Sequence, residues 1–225
     1  MAVAPYLEQY RLREWFDGMV CNSGADVYGF DPPSHVKNYY LSAESVKLIL
    51  REFQDYDFLT VGFHMGRRLI ASKESPEVRT LLKRNAHYVF GRPQDVSIGE
   101  APKCLLLFDR KDRKKAEAVF AVHPLAGVRW VVTEPNICEF LHVENSKASG
   151  AARLLERHRL SLEDSLVFGD ADNDAEIMAG AGISVCMKNG SLGMREIADY
   201  VTRKTNNENG VMDFLARHED LLLGE

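Results

Sequence analysis

The stretch Leu166-Val-Phe-Gly-Asp-Ala-Asp-Asn-Asp174 decides the reading of this chain. Three apolar residues, Leu166–Phe168, make a short buried strand, and the acidic run behind Gly169 starts a helix, since Asp and Asn accept hydrogen bonds from first-turn amides. A carboxylate thus stands at the carboxyl end of a strand, the edge at which open α/β sheets bind ligands. The same grammar extends both ways: helix Lys147–His158 before it, then helix Asp172–Ala179, strand Ile183–Met187, helix Leu192–Ala198, strand Tyr200–Thr202 and helix Val211–Arg217. Strict alternation predicts a parallel, doubly wound α/β sheet over residues 143–225.

The middle of the chain reads differently. Val36–Leu41 is an expected strand, and Ser42 is placed to cap a helix over Ala43–Phe53 with one apolar face. Phe58–His64 and Arg68–Ala71 suit a hairpin around Met65-Gly66-Arg67. Pro76–His87 and Lys111–Phe120 read as helices, and Lys103–Phe108, Val128–Thr133 and Ile137–Val143 as strands. This predicts an α+β module with a largely antiparallel sheet at about residues 26–142. Residues 1–25, with a short strand in Gly18–Gly24, are assigned to the parallel sheet, which makes the middle module an insertion.

With 225 residues, 45% hydrophobic and 27% charged, the chain is long enough to bury a sizeable core. A net charge of -5 supplies no basic field for nucleic acid, and no apolar run is long enough to span a membrane. Cys21, Cys104, Cys138 and Cys186 lie far apart without zinc-ligand spacing, so reduced thiols in a cytoplasmic protein are expected. His64, His87, His123 and His142 are expected to pack or lie at the surface of the middle module, and Asp26, Asp31 and Asp109 to serve turns or solvated surface.

Asp170, Asp172 and Asp174 offer hard oxygen ligands suited to Mg2+, and Asn173 an uncharged amide for a phosphoryl oxygen. The residues also suit a helix cap alone, although three acids within five residues exceed what one cap needs and repel one another without a cation. Lys147, at a helix start, opposes the helix dipole, which makes sense where its ammonium meets phosphate or carboxylate; a solvated surface lysine is the alternative.

In order along the chain stand Ser146-Lys147-Ala-Ser-Gly-Ala, Val167-Phe-Gly-Asp-Ala-Asp-Asn-Asp174, Ala179-Gly-Ala-Gly182, Val185-Cys-Met-Lys-Asn-Gly190, Ala198-Asp199-Tyr-Val-Thr202 and Asn209-Gly-Val211. This series resembles the Cof-type branch (subfamily IIB) of the haloacid-dehalogenase-like hydrolases across residues 143–215, and Phe16–Ala25 is similar to the strand and turn that precede that family's inserted cap. The resemblance implies a HAD-like core with an α+β cap, and a Mg2+-dependent phosphatase of small phosphorylated metabolites working through an aspartyl-phosphate. It implies that Asp170 and Asp174 serve the metal, Asp174 through water, that Asn173 binds the phosphate, and that catalytic Lys147 stabilises nucleophile and phosphoryl charge.

The family's nucleophile motif, Asp-x-Asp-Gly-Thr, and its Thr/Ser-Gly-Arg segment do not occur in the sequence. The expectation is therefore a chain lacking roughly forty to fifty N-terminal residues, about two βα units, and unstable as an isolated monomer because a central strand is missing. Besides the phosphatase, two other readings stand: a non-catalytic phosphometabolite-binding or regulatory protein, and a generic nucleotide-binding α/β domain, which lacks any glycine-rich phosphate loop. The sequence sets neither the substrate nor the oligomeric state.

Overall fold

The computed structural model describes residues 7, 9–84, 88–219 and 221, without the side chain of Leu12; His87 lies outside the described residues. The chain divides into two compact units, Met1–Asn145 and Ser146–Glu225. The fold is mixed α/β.

The first unit opens with an antiparallel meander of β1 (Gly18–Cys21), β2 (Asp26–Phe30) and β3 (Pro33–Lys37). Gly18–Cys21 was expected in the parallel sheet; it pairs instead with β2, from Gly18 opposite Gly29 to Cys21 opposite Asp26. The cause is local. Asn22, Ser23 and Gly24 take positive φ values of 51°, 59° and 113°, so the chain reverses at once and the strand meets its neighbour by a short closure. The strand expected over Val36–Leu41 ends at Lys37, with Leu41 making an isolated bridge to Ala101.

A six-stranded sheet follows, comprising β4 (Thr60–Met65), β5 (Arg68–Ala71), β6 (Val89–Gly91), β7 (Cys104–Leu107), β8 (Val128–Glu134) and β9 (Ile137–His142) in the order β6-β5-β4-β7-β9-β8. Only β5 and β6 run parallel. The expected hairpin forms between β4 and β5, where Gly66 takes φ +55°, which a Cβ would strain.

Strand alternation divides the sheet's side chains between two faces. On one, Cys104, Leu106, Cys138 and Phe140 pack under helix α1 (Ala43–Phe53) and helix α3 (Arg113–Val122). Ser42 caps α1 as its position predicts, its Oγ accepting from Ser45 N at 3.1 Å. Val46, Ile49, Leu50 and Phe53 form the buried face of α1. Phe53 sets its ring edge-on to Phe120 at 5.6 Å and Phe140 at 5.3 Å. On the other face Leu105, Leu107 and Ile137 cluster with Val78 of helix α2 (Pro76–Arg84). Leu105 and Glu139 are cross-strand partners on that second face, so a carboxylate is built into it.

The second unit holds helix α4 (Lys147–Leu155), β10 (Leu166–Gly169), helix α5 (Ala175–Gly180), β11 (Ile183–Cys186), helix α6 (Leu192–Ile197), β12 (Tyr200–Val201) and helix α7 (Gly210–Leu215). The strands are parallel, in order β10-β11-β12, as the alternation requires. Asp199 fastens α6 to β11 by accepting from Ser184 N at 2.8 Å and Ser184 Oγ at 2.7 Å. Among the described residues no helix is long and apolar enough to cross a membrane.

Phe53 is fully buried and central to the larger core. Phe53→Ala is expected to lower the unfolding free energy by about 3–5 kcal/mol, the cost of a large-to-small change that leaves a cavity, as measured by urea denaturation.

Candidate active site

β10 ends at Gly169, and the chain passes through Asp170 and Ala171 into a 3-10 turn, Asp172–Asp174, before α5. Gly169 is required by close approach: a Cβ there would lie 2.5 Å from Met178 Sδ and 2.9 Å from Asp174 Cβ. The missing side chain lets Asp174 fold back under the loop.

Asp174 is the hub. Only 7% exposed, its carboxylate accepts from Asp170 N at 3.0 Å and Ala171 N at 3.2 Å through Oδ2, and from Lys147 Nζ at 2.5 Å through Oδ1. Burial pushes its pKa up, but the Lys147 ammonium and the two amides outweigh burial and hold the carboxyl below its ordinary value. Lys147 comes from the first turn of α4, which Ser146 and Ser149 cap reciprocally. The ammonium of a residue that opposes the helix dipole is thus matched by a carboxylate from a different segment.

The three acids have separate environments. Asp172 accepts from Ser191 Oγ at 2.6 Å. This qualifies the expectation that three crowded carboxylates need a cation, because two of them are already met by protein donors. Asp170 is exposed, and its carboxylate has no hydrogen-bond or ion-pair partner among the described residues. Its backbone is fixed nonetheless: Ser191 N donates to Asp170 O at 2.9 Å and Met187 N to Gly169 O at 2.9 Å. Asn173 Oδ1 is buried without a partner among the described residues.

Lys147, Asp170 and Asp174 line a cavity of about 440 Å³ together with Asn206, Asn209 and Gly210. Asn173 and Asp172 are not in that lining. Asn206 was not singled out from sequence, and Asn209 only as part of a motif. Their signal was topological: both follow β12, so they stand beyond the carboxyl end of a third parallel strand. Asn209 takes φ 58°, a left-handed conformation that Asn tolerates, as it leads into α7. Among the described residues no three His, Cys, Asp or Glu side chains converge as a preformed metal cage.

The profile of the haloacid dehalogenase-like hydrolase family matches residues 1–215. The chain belongs to this family. Among relatives of this HAD-like hydrolase, a Mycoplasma genitalium protein provisionally named a phosphatase is 24% identical over 218 residues, covering 88% of this chain and 76% of the relative. A phosphoglycolate phosphatase of Methanothermobacter thermautotrophicus is 33% identical over 98 residues, 44% of this chain and 37% of that one. A haloacid dehalogenase-like hydrolase from Bacteroides thetaiotaomicron superposes with TM-score 0.79 at 21% identity, covering 96% of this chain and 82% of its own. A sugar phosphatase of HAD subclass IIB gives TM-score 0.78 at 17% identity, covering 97% and 82%. At these identities the structural likeness concerns the fold.

Asp174→Ala in this HAD-like hydrolase orphans two loop amides and an ammonium, and is expected to cost about 2–3 kcal/mol, against about 1 kcal/mol for Lys147→Met, whose loss leaves the amide bonds in place. Because the Asp174 pKa is lowered from 3.8, its stabilisation is present above that value and is lost as pH falls through the folded-state value. The gap between wild type and Asp174→Ala in urea titrations should therefore close only in strong acid.

Proposed function

We propose that this chain carries the metal-binding and phosphate-binding groups of a Mg2+-dependent phosphatase acting on small phosphorylated metabolites. The observation that carries the reading is the division of labour at one cavity: Asp174 is saturated by Lys147 and two amides, while Asp170 presents an uncommitted carboxylate. The phosphatase names of the two sequence relatives support it.

The donor set fits Mg2+, which keeps several waters and takes one or two carboxylates plus substrate oxygens. Asp170 would hold it directly, and Asp174, with both oxygens engaged, would act through water. When bound, the ion offsets the negative charge that gathers on a phosphoryl group during transfer. Lys147, fixed by Asp174, would direct its remaining ammonium protons toward the phosphoryl oxygens; Asn173 lies outside the cavity lining, and only the family resemblance assigns its amide to the same anion. The attacking carboxylate of an aspartyl-phosphate mechanism is not assigned to any residue of this sequence, which contains no Asp-x-Asp-Gly-Thr segment. The unit Met1–Asn145 is read as the family's α+β cap. With Cys21, Cys104, Cys138 and Cys186 all free thiols, the reading places the protein in a reducing cytoplasm.

A second reading of the same cavity is a phosphometabolite-binding protein without turnover, since Asp170 and Lys147 suit holding a cation-bound phosphate as well as reacting with it. The two separate cleanly. In the protein, p-nitrophenyl phosphate hydrolysis should require Mg2+ and fall about 100-fold or more in Asp170→Asn and in Lys147→Met. Mg2+-dependent binding of inorganic phosphate without hydrolysis, seen by calorimetry, would select the second reading. Neither binding nor turnover, or turnover indifferent to Asp170→Asn, sinks the assignment of the site.

A further inference from the structure

Two buried acids of the first unit are compensated internally. Glu139, only 7% exposed, accepts from Lys103 Nζ at 2.5 Å and Ser23 Oγ at 2.5 Å. Asp26, expected at a turn or on solvated surface, is instead 4% exposed: the meander turns it inward, where it accepts from Asn22 Nδ2 at 2.6 Å and Tyr40 OH at 2.6 Å and pairs with His35 Nε2 at 2.7 Å. Asp170 is the opposite case, an exposed carboxylate without a partner among the described residues, whose place is set through its backbone. What holds that backbone therefore decides where a metal ligand can stand.

Asp174 holds one side of the loop, and the turn between β11 and α6 holds the other. In that turn Gly190 N donates to Met187 O at 2.7 Å, and Ser191 follows. Ser191 reaches the acidic loop twice: its N donates to Asp170 O at 2.9 Å, and its Oγ donates to Asp172 Oδ1 at 2.6 Å. The approach is close, since a Cβ on Gly190 would lie 3.1 Å from Asp170 O and 2.5 Å from Cys186 Sγ. The same Oγ accepts from Met194 N at 3.3 Å and so caps α6. A cap needs an acceptor and no donor. The hydroxyl proton is thus free for a charge-assisted bond to a carboxylate two residues beyond Asp170. That bond engages Asp172, which is not in the lining of the 440 Å³ cavity, whereas Asp170 and Asp174 are.

Mg2+ demands near-octahedral geometry at short distances, whereas Ca2+ takes more oxygens, farther away and in flexible arrangements. A ligand whose backbone can drift is therefore a greater handicap for Mg2+ than for Ca2+. Groups standing behind a metal ligand typically change affinity by about 10–100-fold without touching the ion.

We propose that Ser191 is a positioning residue for the metal: by gripping the acidic loop at Asp170 and Asp172 it holds the Asp170 carboxylate in a place that favours Mg2+ over Ca2+. The inference rests on the reading of Asp170 as a direct Mg2+ ligand. The test measures Mg2+ and Ca2+ affinities of the full chain by calorimetry and by displacement of Mn2+ in electron paramagnetic resonance, neither of which needs turnover. Ser191→Ala is expected to weaken Mg2+ about tenfold or more and Ca2+ about threefold or less, with Ser191→Thr, which keeps the hydroxyl, near wild type. Loss of the α6 cap or of folded protein alone would lower both affinities together, and an unchanged ratio overturns the proposal. Asp172→Ala cuts the same bond and leaves the cap in place, so it serves should Ser191→Ala fail to fold. Asp172→Asn removes the same charge but keeps an oxygen acceptor. A larger fall in the preference for Mg2+ in Asp172→Ala than in Asp172→Asn supports the bond, and equal falls overturn it. Failure of the underlying reading looks different: wild type then binds no Mg2+, or Asp170→Asn binds it equally well, and this inference falls with it. Mg2+ binding that depends on Asp170 but is unchanged in Ser191→Ala sinks the role of Ser191 alone.

Discussion

The bond between Lys147 and Asp174 organises the second unit. It joins the start of α4 to the loop after β10, and the same carboxylate ties down the amides of Asp170 and Ala171. A lysine in a first helical turn is mildly unfavourable, and a nearly buried aspartate is costly when unpaired. Together they neutralise each other, and the loop between them acquires a single shape. The exposed Asp170 carboxylate keeps its position because its backbone is held on one side by Asp174 and on the other by Ser191.

That arrangement depends on an absence of side chain. Gly169 leaves room for Asp174 beneath the loop, and any Cβ would meet Asp174 and Met178 well inside van der Waals distance. A strand ending in glycine, followed by an aspartate four residues after the first acidic residue, is thus a geometric unit rather than a composition. This is why the stretch from Leu166 to Asp174 could be read so directly: strand, close approach, reversed loop and helix start each leave a local mark.

Where local marks are weaker, sequence pattern and structure part. Gly18–Cys21 is too short to state which sheet it joins, and the left-handed run Asn22–Gly24, which decided the matter in favour of β2, is visible only as a generic polar turn. Asp26 looked like a turn residue because its three partners, Asn22, His35 and Tyr40, are gathered by the meander and share no periodicity in sequence. In the site, Lys147, Asp170 and Asp174 were legible from residue type and order, whereas the separate engagement of Asp172 by Ser191 required the fold to bring two loops together. Ser42 was legible for the opposite reason, since a cap and the helix it starts are adjacent in sequence.

The two units of the chain meet their acidic charges differently. Around Asp170 a carboxylate is left exposed and uncommitted, its charge carried by solvent and not by a protein partner among the described residues. In the antiparallel unit Glu139 and Asp26 are buried, and burial makes an unpaired charge too expensive to keep, which is why Glu139 has two protein partners and Asp26 three, supplied from neighbouring strands and turns. The position of each acid relative to solvent, set for Glu139 by strand register and for Asp26 by the turn at Asn22–Gly24, thereby determines whether its charge is met by protein donors or left to water.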